Sequence, residues 1–402
     1  FRYGVQVNSL GLTEQQPENN VYRILVEMLA VTLSKKARAR AVQLPAWNEA
    51  LGLPRPWDQQ WSMRMQQIMA FETDLLEYED LFDGNQVVEA KVESLKASAR
   101  YELDTIETQG GALNAIEYMK SRLVESNTDR LQNIERNVTT VVGVNKFTKT
   151  EKSPLVSGDG GIMTVDPAVE KDQIDRLNLW RTNRNEKLVN KALLSLRQAA
   201  LNGKNIMPHS IEAAKAGATT GEWAQEMRDI YGEYRGPTGV ATGISNKTDG
   251  LDELRSAVDA VSDKLGERLK FLMGKPGLDG HSNGAEQIAS RARDCGMKIE
   301  YQGIRLTPQE LVESVKSTKA HVVGLSILSG SHLPLVQDMI NLLAKEGLTK
   351  IPIVVGGIIP EEDKIKLLEM GISKVYTPKD FEMNTIMMDI VNLAEPKEIA
   401  AE

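Results

Sequence analysis

Cysteine and histidine are scarce in this chain. Its 402 residues include one cysteine, Cys295, and four histidines. A single cysteine cannot form an internal disulfide, and no pair of histidines has the spacing of metal ligands. A metal centre built from protein side chains alone is therefore not expected.

Long apolar runs are also absent. No stretch reaches the ~18 apolar residues of a membrane-spanning helix, and no secretory signal pattern is visible. We therefore expect a soluble, cytoplasmic protein without a membrane partner. The chain starts at Phe1 rather than Met, directly in a strand-like pattern, so we expect it to be a fragment.

Basic residues are fewer than acidic residues in this chain. Lys and Arg number 48 against 56 Asp and Glu, and the net charge is −8. Binding along a nucleic-acid backbone requires a concentrated basic surface, so no nucleic-acid partner is expected. The one basic run is SKKARARA, residues 34–41. A solvated helix end, or a clamp for the phosphates of a small substrate, explains it better than a nucleic-acid patch.

Residues 1–55 alternate between strand and helix patterns. A strand-like start is followed by the polar loop LTEQQPENN, a helix from about Val21 to Lys35 and the extended segment AVQLPAW. The last units of a (β/α)8 TIM barrel have this order, although other α/β folds share it.

Residues 56–245 have mainly helical periodicity. Three helical segments are followed by VTTVVGVNKF (residues 138–147), which predicts a strand, and then by three more helical segments. The stretch 232–250 is rich in Gly, Ser and Thr and indicates an exposed linker. We place a domain boundary there.

Residues 255–395 alternate regularly between strand and helix. Five strand patterns separated by helices predict one parallel sheet covered on both faces, in a doubly wound, flavodoxin-like fold. Ligands of such sheets bind beyond the carboxyl ends of the strands. The loops expected there are GKPGLDGHSNG (274–284), SILSGSH (326–332), GGIIP (356–360) and TPKDF (377–381).

The first of these loops carries the most informative histidine. The loop lacks the GxGxxG and GxxxxGK[ST] spacings of nucleotide-binding loops. His281 follows Asp279 by two residues, and a neutral imidazole oriented by a carboxylate is a good metal ligand. The alternative is a structural histidine bonded to a nearby carbonyl, but the carboxylate and the glycines favour the ligand. One axial ligand suits a metal that brings its own macrocycle.

The other histidines are weaker candidates. We interpret His209 and His321 as structural, and His332 as a residue that could line the same cleft.

Three motifs at this edge resemble those of the cobalamin-binding domain in base-off/His-on B12 enzymes. DGHSNG matches the D-x-H-x-x-G motif, SIL matches S-x-L, and the pair at 356–357 matches the double glycine. The resemblance implies that His281 is the lower cobalt ligand, supported by Asp279 and Lys275. It also implies that Ser326 bonds the buried benzimidazole and that the glycines leave room for the nucleotide tail. The implied cofactor-binding residues are Lys275, Asp279, Gly280, His281, Ser282, Asn283, Gly284, Ser326, Leu328, Gly356, Gly357, Tyr376 and Thr377.

The rest of the chain resembles the acyl-CoA mutases related to methylmalonyl-CoA mutase. The resemblance is carried by VQVNSLGLTEQQPENNVYR, NEALGLP, VVGVNKF, VDPAVEKDQIDRL and GEWAQEMRDIYGEYRG. It implies the end of an acyl-CoA-binding TIM barrel over residues 1–55, a helical linker region over 56–245 and a B12-binding domain over 255–395. By position, Gln6 corresponds to a glutamine near the substrate thioester and Glu49 to a glutamate that contacts the adenosyl ribose. The other substrate-binding residues are expected upstream of Phe1.

Two segments depart from the usual pattern of that family. RARAVQLPAW replaces a QSLHTN-like stretch, and EYEDLFDG stands where a DPWGGS-like segment is expected. These variants, with GLDGHSNGAEQIA and GLSILSGSHLPLV, resemble the branch that acts on ethylmalonyl-CoA. The first replacement removes a serine that faces substrate in the relatives, so that contact is not carried over.

The resemblance implies adenosylcobalamin (coenzyme B12) as cofactor and a radical isomerisation of ethylmalonyl-CoA to methylsuccinyl-CoA. In it, the cobalt–carbon bond breaks homolytically and the adenosyl radical takes a hydrogen atom from the ethyl group. The thioester carbonyl then migrates, and methylsuccinyl-CoA forms when the hydrogen returns. The alternatives are methylmalonyl-CoA mutase or a related acyl-CoA mutase and, in another class, a cobalamin sensor or delivery module without a barrel. The family also implies a homodimer and a G-protein-type chaperone that loads the cofactor.

Overall fold

The computed structural model describes residues 2–156, 161–163, 166–240 and 251–396. It divides into two compact units, one formed by Phe1–Met163 with Pro237–Glu402 and the other by Thr164–Gly236. The predicted linker at 232–250 lies partly outside the described residues, which stop at 240 and resume at 251. Within the described residues, no helix is long and apolar enough to cross a membrane.

The N-terminal segment forms two parallel strands joined by a helix. Strand β1 (Gly4–Gln6) pairs with β2 (Ala41–Gln43), with Gly4 opposite Ala41, and α1 (Asn19–Leu33) connects them. Parallel strands require such a crossover because a tight turn would make them antiparallel. The predicted order of strand, loop, helix and extended segment is therefore present.

Buried polar side chains hold the loops of this segment. Asn20 is fully buried, and its Nδ2 donates to the carbonyl oxygens of Thr13 (2.8 Å) and Trp47 (2.9 Å). The indole of Trp47 in turn donates to Asp58 Oδ1 at 2.9 Å, and Asp58 also pairs with Arg55 at 3.0 Å. The arrangement satisfies buried donors and acceptors, as a stable interior requires.

Three long helices follow. They are α2 (Pro56–Phe71), α3 (Gln86–Thr108) and α4 (Ile116–Glu135), in agreement with the predicted helical periodicity. The side chain of Asn85 caps α3 by accepting from the backbone N–H groups of Val87 and Val88. In α4, Val124 and Ile134 are buried. Helix α4 is therefore packed against the rest of its unit along one face.

The strand predicted at residues 138–147 is wrong. Its β-branched residues suggested a strand, but the segment turns on itself, and its single bridge joins Val142 to Lys146. The side chain of Asn145 donates to the carbonyl oxygens of Ile134 and Thr139, and it accepts from the N–H of Val141. Local bonds of this kind compete with strand pairing, so propensity alone misleads here.

The second unit consists of four helices, where the sequence predicted three. They are α5 (Pro167–Asn183), α6 (Glu186–Leu201), α7 (Met207–Ala216) and α8 (Thr220–Tyr231). Val189, Leu193 and Leu196 of α6 form its small apolar core with Ala213. Arg184 binds both carboxylate oxygens of Glu222, at 2.7 and 2.5 Å, and this contact lowers the pKa of Glu222 to about 2.

The C-terminal part is a five-stranded parallel sheet between two layers of helices. The strand order β4-β3-β5-β6-β7 is that of a flavodoxin-like doubly wound domain, so the predicted α/β class is confirmed. The strands are β3 (Lys270–Gly274), β4 (Lys298–Tyr301), β5 (Val322–Ile327), β6 (Ile353–Gly357) and β7 (Lys374–Tyr376). The helices are α9 (Asp252–Leu265), α10 (Asn283–Asp294), α11 (Pro308–Thr318), α12 (His332–Lys345), α13 (Glu361–Glu369) and α14 (Met383–Ala394).

Helix α9 is an element that the sequence reasoning missed. Its signals are Asp252 and Glu253 in the first turn, and Gly266 in the left-handed region at φ 72° directly after the last turn. The apolar residues Leu254 and Val258 follow helical spacing, and they join the core beside Phe271.

Side chains alternate between the two faces of the sheet. In β3, Phe271 and Met273 pack in the core with α9, α10 and α14, whereas Leu272 packs in the core on the opposite face. Cys295, just after α10, is a free buried thiol whose pKa burial raises to about 12. Both faces of the strands are thus covered, which leaves the ends of the strands as the accessible part of the sheet.

Gly324 in β5 shows how tightly this core is packed. A Cβ atom there would lie 2.6 Å from the ring of Phe271 and 2.7 Å from the sulfur of Met273. We expect Gly324→Ala to lower the free energy of unfolding by about 1–3 kcal/mol. Gly284→Ala in α10 is the control, because no atom lies within 4 Å of its Cβ position. Chemical denaturation measures both, and equal stabilities of the two variants would contradict the prediction.

Candidate functional site

The site lies where β3 and β5 end side by side. Gly274 is opposite Leu325 in the sheet register, so the loops that follow the two strands begin together. Helix α10, which follows β3, packs on one face of the sheet, and α11, which precedes β5, packs on the other. The carboxyl ends of β3 and β5 therefore lie at the point where ligands usually bind in such folds. The structure thus brings the predicted loops 274–284 and 326–332 to one edge.

A buried lysine joins the two loops. Lys275 is fully buried, and its Nζ donates to the carbonyl oxygen of Ser326 at 3.0 Å and to the Ser326 hydroxyl at 3.2 Å. The same nitrogen lies 3.0 Å from Asp279 Oδ2. Burial lowers the pKa of Lys275, while the contact with Asp279 opposes that shift. Lys275, directly after β3, therefore links Ser326 of β5 to Asp279 of the glycine-rich loop through its buried ammonium group.

Asp279 connects this lysine to the histidine. Its side chain is 7% exposed, and its Oδ1 lies 2.7 Å from His281 Nδ1 and accepts from the His281 N–H at 3.0 Å. Burial by itself would raise the pKa of Asp279, but the hydrogen bonds from His281 and the ion pair with Lys275 lower it to about 2. Asp279 is therefore an ionised, acceptor-only group at neutral pH.

The imidazole of His281 is oriented and open. Because the carboxylate of Asp279 only accepts, His281 Nδ1 carries a hydrogen, and in the neutral imidazole Nε2 is then the nitrogen with the lone pair. The side chain is 81% exposed. The partner of the ring is a carboxylate, which is one of the groups to which metal-binding histidines donate their second ring N–H.

The neighbouring strands leave space beside Ser326. Ser326 is 4% exposed and lies opposite Gly356 in the register of β5 and β6. No atom lies within 4 Å of a Cβ position at Gly356, whereas a Cβ at Gly357 would lie 1.8 Å from the carbonyl oxygen of Ile327. The two glycines thus differ: Gly356 faces open space, and Gly357 permits close packing of β6 on β5.

The remaining predicted residues have other contacts. The hydroxyl of Tyr376 donates to Asp389 at 3.0 Å, and the Thr377 N–H donates to Asp380 at 2.8 Å. Burial and Asp389 raise the pKa of Tyr376. Gly280 lies against the guanidinium group of Arg305, with 3.2 Å from its Cβ position to the nearest nitrogen. Leu328 lies in the loop after β5. Ser282 ends the loop after β3, and Asn283 and Gly284 are the first residues of α10.

Gln6 and Glu49 lie in the N-terminal segment. Gln6 ends β1 opposite Gln43, and Glu49 is an exposed residue in the turn after Trp47. The polar loop of this segment contacts the sheet edge: Glu14 Oε1 lies 2.6 Å from Lys379 Nζ. Sequence reasoning missed this pair, because an ion pair between residues so far apart in the chain leaves no local pattern.

The other histidines have structural partners. His321 Nδ1 accepts from the Lys270 N–H at 3.0 Å, and His209 Nδ1 lies 3.0 Å from the Ser195 hydroxyl. His332 is 2% exposed, and its Nε2 lies 2.8 Å from Asp363. His332 therefore joins the start of α12 to α13.

The basic run at 34–41 is matched by acidic side chains. Lys36 forms an ion pair with Asp83, and its N–H donates to Asp80 at 2.7 Å. Both acids belong to EYEDLFDG, so one of the two segments that depart from the family pattern contacts the basic run.

The residues at the sheet edge suit a metal that is already bound within a macrocycle. They offer one imidazole with a free nitrogen, a carboxylate that orients it, and open space above Gly356. Among the described residues, no group of three or more His, Cys, Asp or Glu side chains could hold a metal ion by itself. A flavodoxin-like domain with these features has what a cobalamin-binding domain requires, which is the class that its three motifs resemble.

Comparisons with known proteins agree with this class. The family model described as B12 binding domain matches residues 269–378, and the one described as Methylmalonyl-CoA mutase matches residues 1–233. The chain therefore belongs to the methylmalonyl-CoA mutase family and contains a B12-binding domain, so cobalamin is its cofactor class.

The similar curated proteins are mutases of this family. The chain is 67% identical over its whole length to an ethylmalonyl-CoA mutase of Cereibacter sphaeroides, of which it covers 62%. It is 59% identical over 98% of its length to that of Methylorubrum extorquens, of which it covers 58%. A methylmalonyl-CoA mutase of Escherichia coli is 30% identical over 98% of this chain, which covers 55% of it. The chain thus spans about three fifths of the length of these relatives.

We expect Asp279→Asn to disturb the ring of His281 without cofactor present. An amide can donate as well as accept, so the preference for hydrogen on Nδ1 is lost. Nitrogen-15 chemical shifts of the ring, assigned with His281→Ala, measure the tautomer. Asp380→Asn, at the same sheet edge, is the control and leaves the shifts unchanged. An unaltered tautomer in Asp279→Asn would show that the carboxylate does not orient the ring.

The low pKa of Asp279 also predicts a pH dependence. A carboxyl with a pKa of about 2 in the folded state and 3.8 in the unfolded state stabilises the fold above pH 3.8, and this contribution is lost as the pH falls towards 2. The difference in unfolding free energy between the natural chain and Asp279→Asn should therefore be constant near neutrality and shrink between pH 4 and pH 2. Denaturant titrations at each pH measure it; a difference independent of pH in that window would contradict the assignment.

Proposed function

We propose that this chain is the C-terminal part of an adenosylcobalamin-dependent mutase that converts ethylmalonyl-CoA to methylsuccinyl-CoA. The observation that carries the proposal is the oriented, exposed His281 within a B12-binding domain. The substrate is proposed from the relatives: identity is 67% and 59% to two ethylmalonyl-CoA mutases, against 30% to a methylmalonyl-CoA mutase.

Each residue of the sheet edge has a role in this proposal. His281 holds cobalt through Nε2, Asp279 keeps the ring in the required tautomer, and Lys275 keeps Asp279 ionised and in place. Ser326 lies opposite Gly356, which faces open space, and we propose that the nucleotide tail lies there. We include Gly280, Ser282, Asn283, Gly284, Leu328, Gly357, Tyr376 and Thr377 as further cofactor contacts.

The N-terminal half supplies the substrate side in the proposal. Adenosylcobalamin, when bound, provides an organic radical that abstracts hydrogen from the substrate. The protein has to orient the acyl group and exclude water and other reactants from that radical. We propose Gln6 for the thioester and Glu49 for the adenosyl ribose. The corresponding domains are the end of a TIM barrel at 1–55, a helical linker region at 56–245 and the B12-binding domain at 255–395.

We further propose that the protein is cytoplasmic, forms a homodimer and receives its cofactor from a G-protein-type chaperone. These partners are inferred from the family rather than from contacts within this chain.

The test uses the chain completed to the length of its relatives. We expect adenosylcobalamin-dependent formation of methylsuccinyl-CoA from ethylmalonyl-CoA, at least about tenfold faster than turnover of methylmalonyl-CoA, since a hydrophobic pocket discriminates one methylene by about 10–200-fold. In His281→Ala, paramagnetic resonance of the cob(II)alamin form should lose the axial imidazole nitrogen coupling. His209→Ala is the control, and it should keep both the formation of methylsuccinyl-CoA and the imidazole nitrogen coupling.

Each contrary outcome has its own meaning. Preference for methylmalonyl-CoA would replace the proposed substrate. Binding of cobalamin without turnover of any acyl-CoA would favour a sensing or delivery module. Unchanged nitrogen coupling in His281→Ala would remove this residue as the cobalt ligand.

A further inference from the structure

A set of polar contacts joins α4 to α10, the helix that begins directly after the His281 loop. Three residues of α4, namely Lys120, Thr128 and Glu135, each contact a polar residue at the start or along the length of α10. The partners are Ser282 and Glu286 for Lys120, Gln287 for Thr128 and Arg291 for Glu135. One face of α4 thus covers the outer side of α10, whose inner side packs on the sheet.

Lys120 makes the contacts closest to the histidine. Its Nζ lies 2.5 Å from Glu286 Oε1 and donates to the Ser282 hydroxyl at 3.1 Å. Ser282 directly follows His281 and is the N-cap residue of α10, but its side chain makes no capping bond. The lysine therefore holds the residue next to the histidine and, at the same time, the first turn of the helix.

The contact is enclosed. The side chain of Glu286 is 4% exposed and that of Lys120 is 27% exposed. The segment around Gly239 covers Lys120: a Cβ atom at Gly239 would lie 2.8 Å from Lys120 Cγ. Removal of one partner from a buried ion pair leaves an uncompensated charge, which is strongly unfavourable. Without Lys120, Glu286 would lose its ion-pair partner and keep only the electrostatic influence of Lys275, which favours movement of the first turn of α10 towards water.

We infer that Lys120 is a positioning residue for cobalamin binding, acting through Ser282 and Glu286 on the loop that carries His281. The inference rests on the proposed role of His281 as cobalt ligand. Lys120 lies in the part of the chain that matches the mutase family model, residues 1–233, and not in the B12-binding match at 269–378. The cofactor site is therefore completed from outside the domain that holds the cofactor.

The experiment compares four variants with the natural chain. Lys120→Met removes the charge, Lys120→Arg keeps it, and Lys120→Met combined with Glu286→Gln removes both charges. Lys96→Met is the matched control, because Lys96 also pairs with a glutamate, Glu93 at 2.6 Å, but on an exposed helix face. The measurements are the dissociation constant for hydroxocobalamin, the nitrogen coupling of bound cob(II)alamin, and amide hydrogen exchange of residues 276–290 without cofactor.

We expect about 10-fold weaker binding in Lys120→Met, the low end of the effect of residues that support metal ligands. Hydrogen exchange at 276–290 should rise, and part of the bound cobalamin should lack the histidine nitrogen coupling even at saturation. Lys120→Arg should remain within about threefold of the natural chain and the double variant should recover part of the loss, since neither leaves Glu286 as an unpaired buried charge. Lys96→Met should change nothing.

Two results separate this inference from the proposed function. If Lys120→Met binds cobalamin with natural affinity and full nitrogen coupling while His281→Ala does not, Lys120 has no positioning role. If His281→Ala itself binds with unchanged coupling, the proposed ligand fails and the inference fails with it. Should Lys120→Met not fold, Lys120→Arg and the double variant decide: weak binding in both would overturn the role of the charge pair.

Discussion

The buried ammonium group of Lys275 is the constraint on which the site depends. An isolated ammonium ion in a protein interior costs several kcal/mol, so its acceptors have to stay in place. Those acceptors are the carbonyl and hydroxyl oxygens of Ser326 and the carboxylate of Asp279. The first two belong to the neighbouring strand and the third to the glycine-rich loop. One buried charge thus determines how the loop after β3 sits on the sheet.

The state of His281 follows from that charge. Asp279 is held with one oxygen towards Lys275 and the other towards the imidazole, and its pKa of about 2 keeps it ionised over the whole neutral range. An ionised carboxylate on Nδ1 leaves Nε2 as the free nitrogen of an exposed ring. Lys275 is fully buried and His281 is largely exposed, with Asp279 between them. Lys275 fixes the position of the Asp279 carboxylate, and that carboxylate fixes the orientation of the His281 ring.

Segments outside the sheet stabilise the same edge. The ion pair of Glu14 with Lys379 joins the N-terminal polar loop to the loop after β7, and Lys120 joins α4 to the start of α10. Both N-terminal partners come from the mutase-family part of the chain. A cofactor site at this edge would therefore be sensitive to the region that is proposed to bind substrate, because charged contacts connect the two.

The sequence by itself determined the α/β class, the five parallel strands and the loops that meet at their ends. Strand cores of β-branched residues and helices with regular periodicity are local patterns, and the parallel arrangement follows from their alternation. The motif around His281 was likewise local, since Asp279 and the histidine lie within one loop. Only the tertiary structure decided the rest: the segment at 138–147 is a turn because Asn145 satisfies its backbone, and Gly356 and Gly357 have different roles because only one faces open space. The Ser326 acceptors of Lys275 and the partners of Lys379 and Lys120 also come from distant parts of the chain. Ion pairs and hydrogen bonds of this kind depend on positions in space, and no spacing along the chain encodes them.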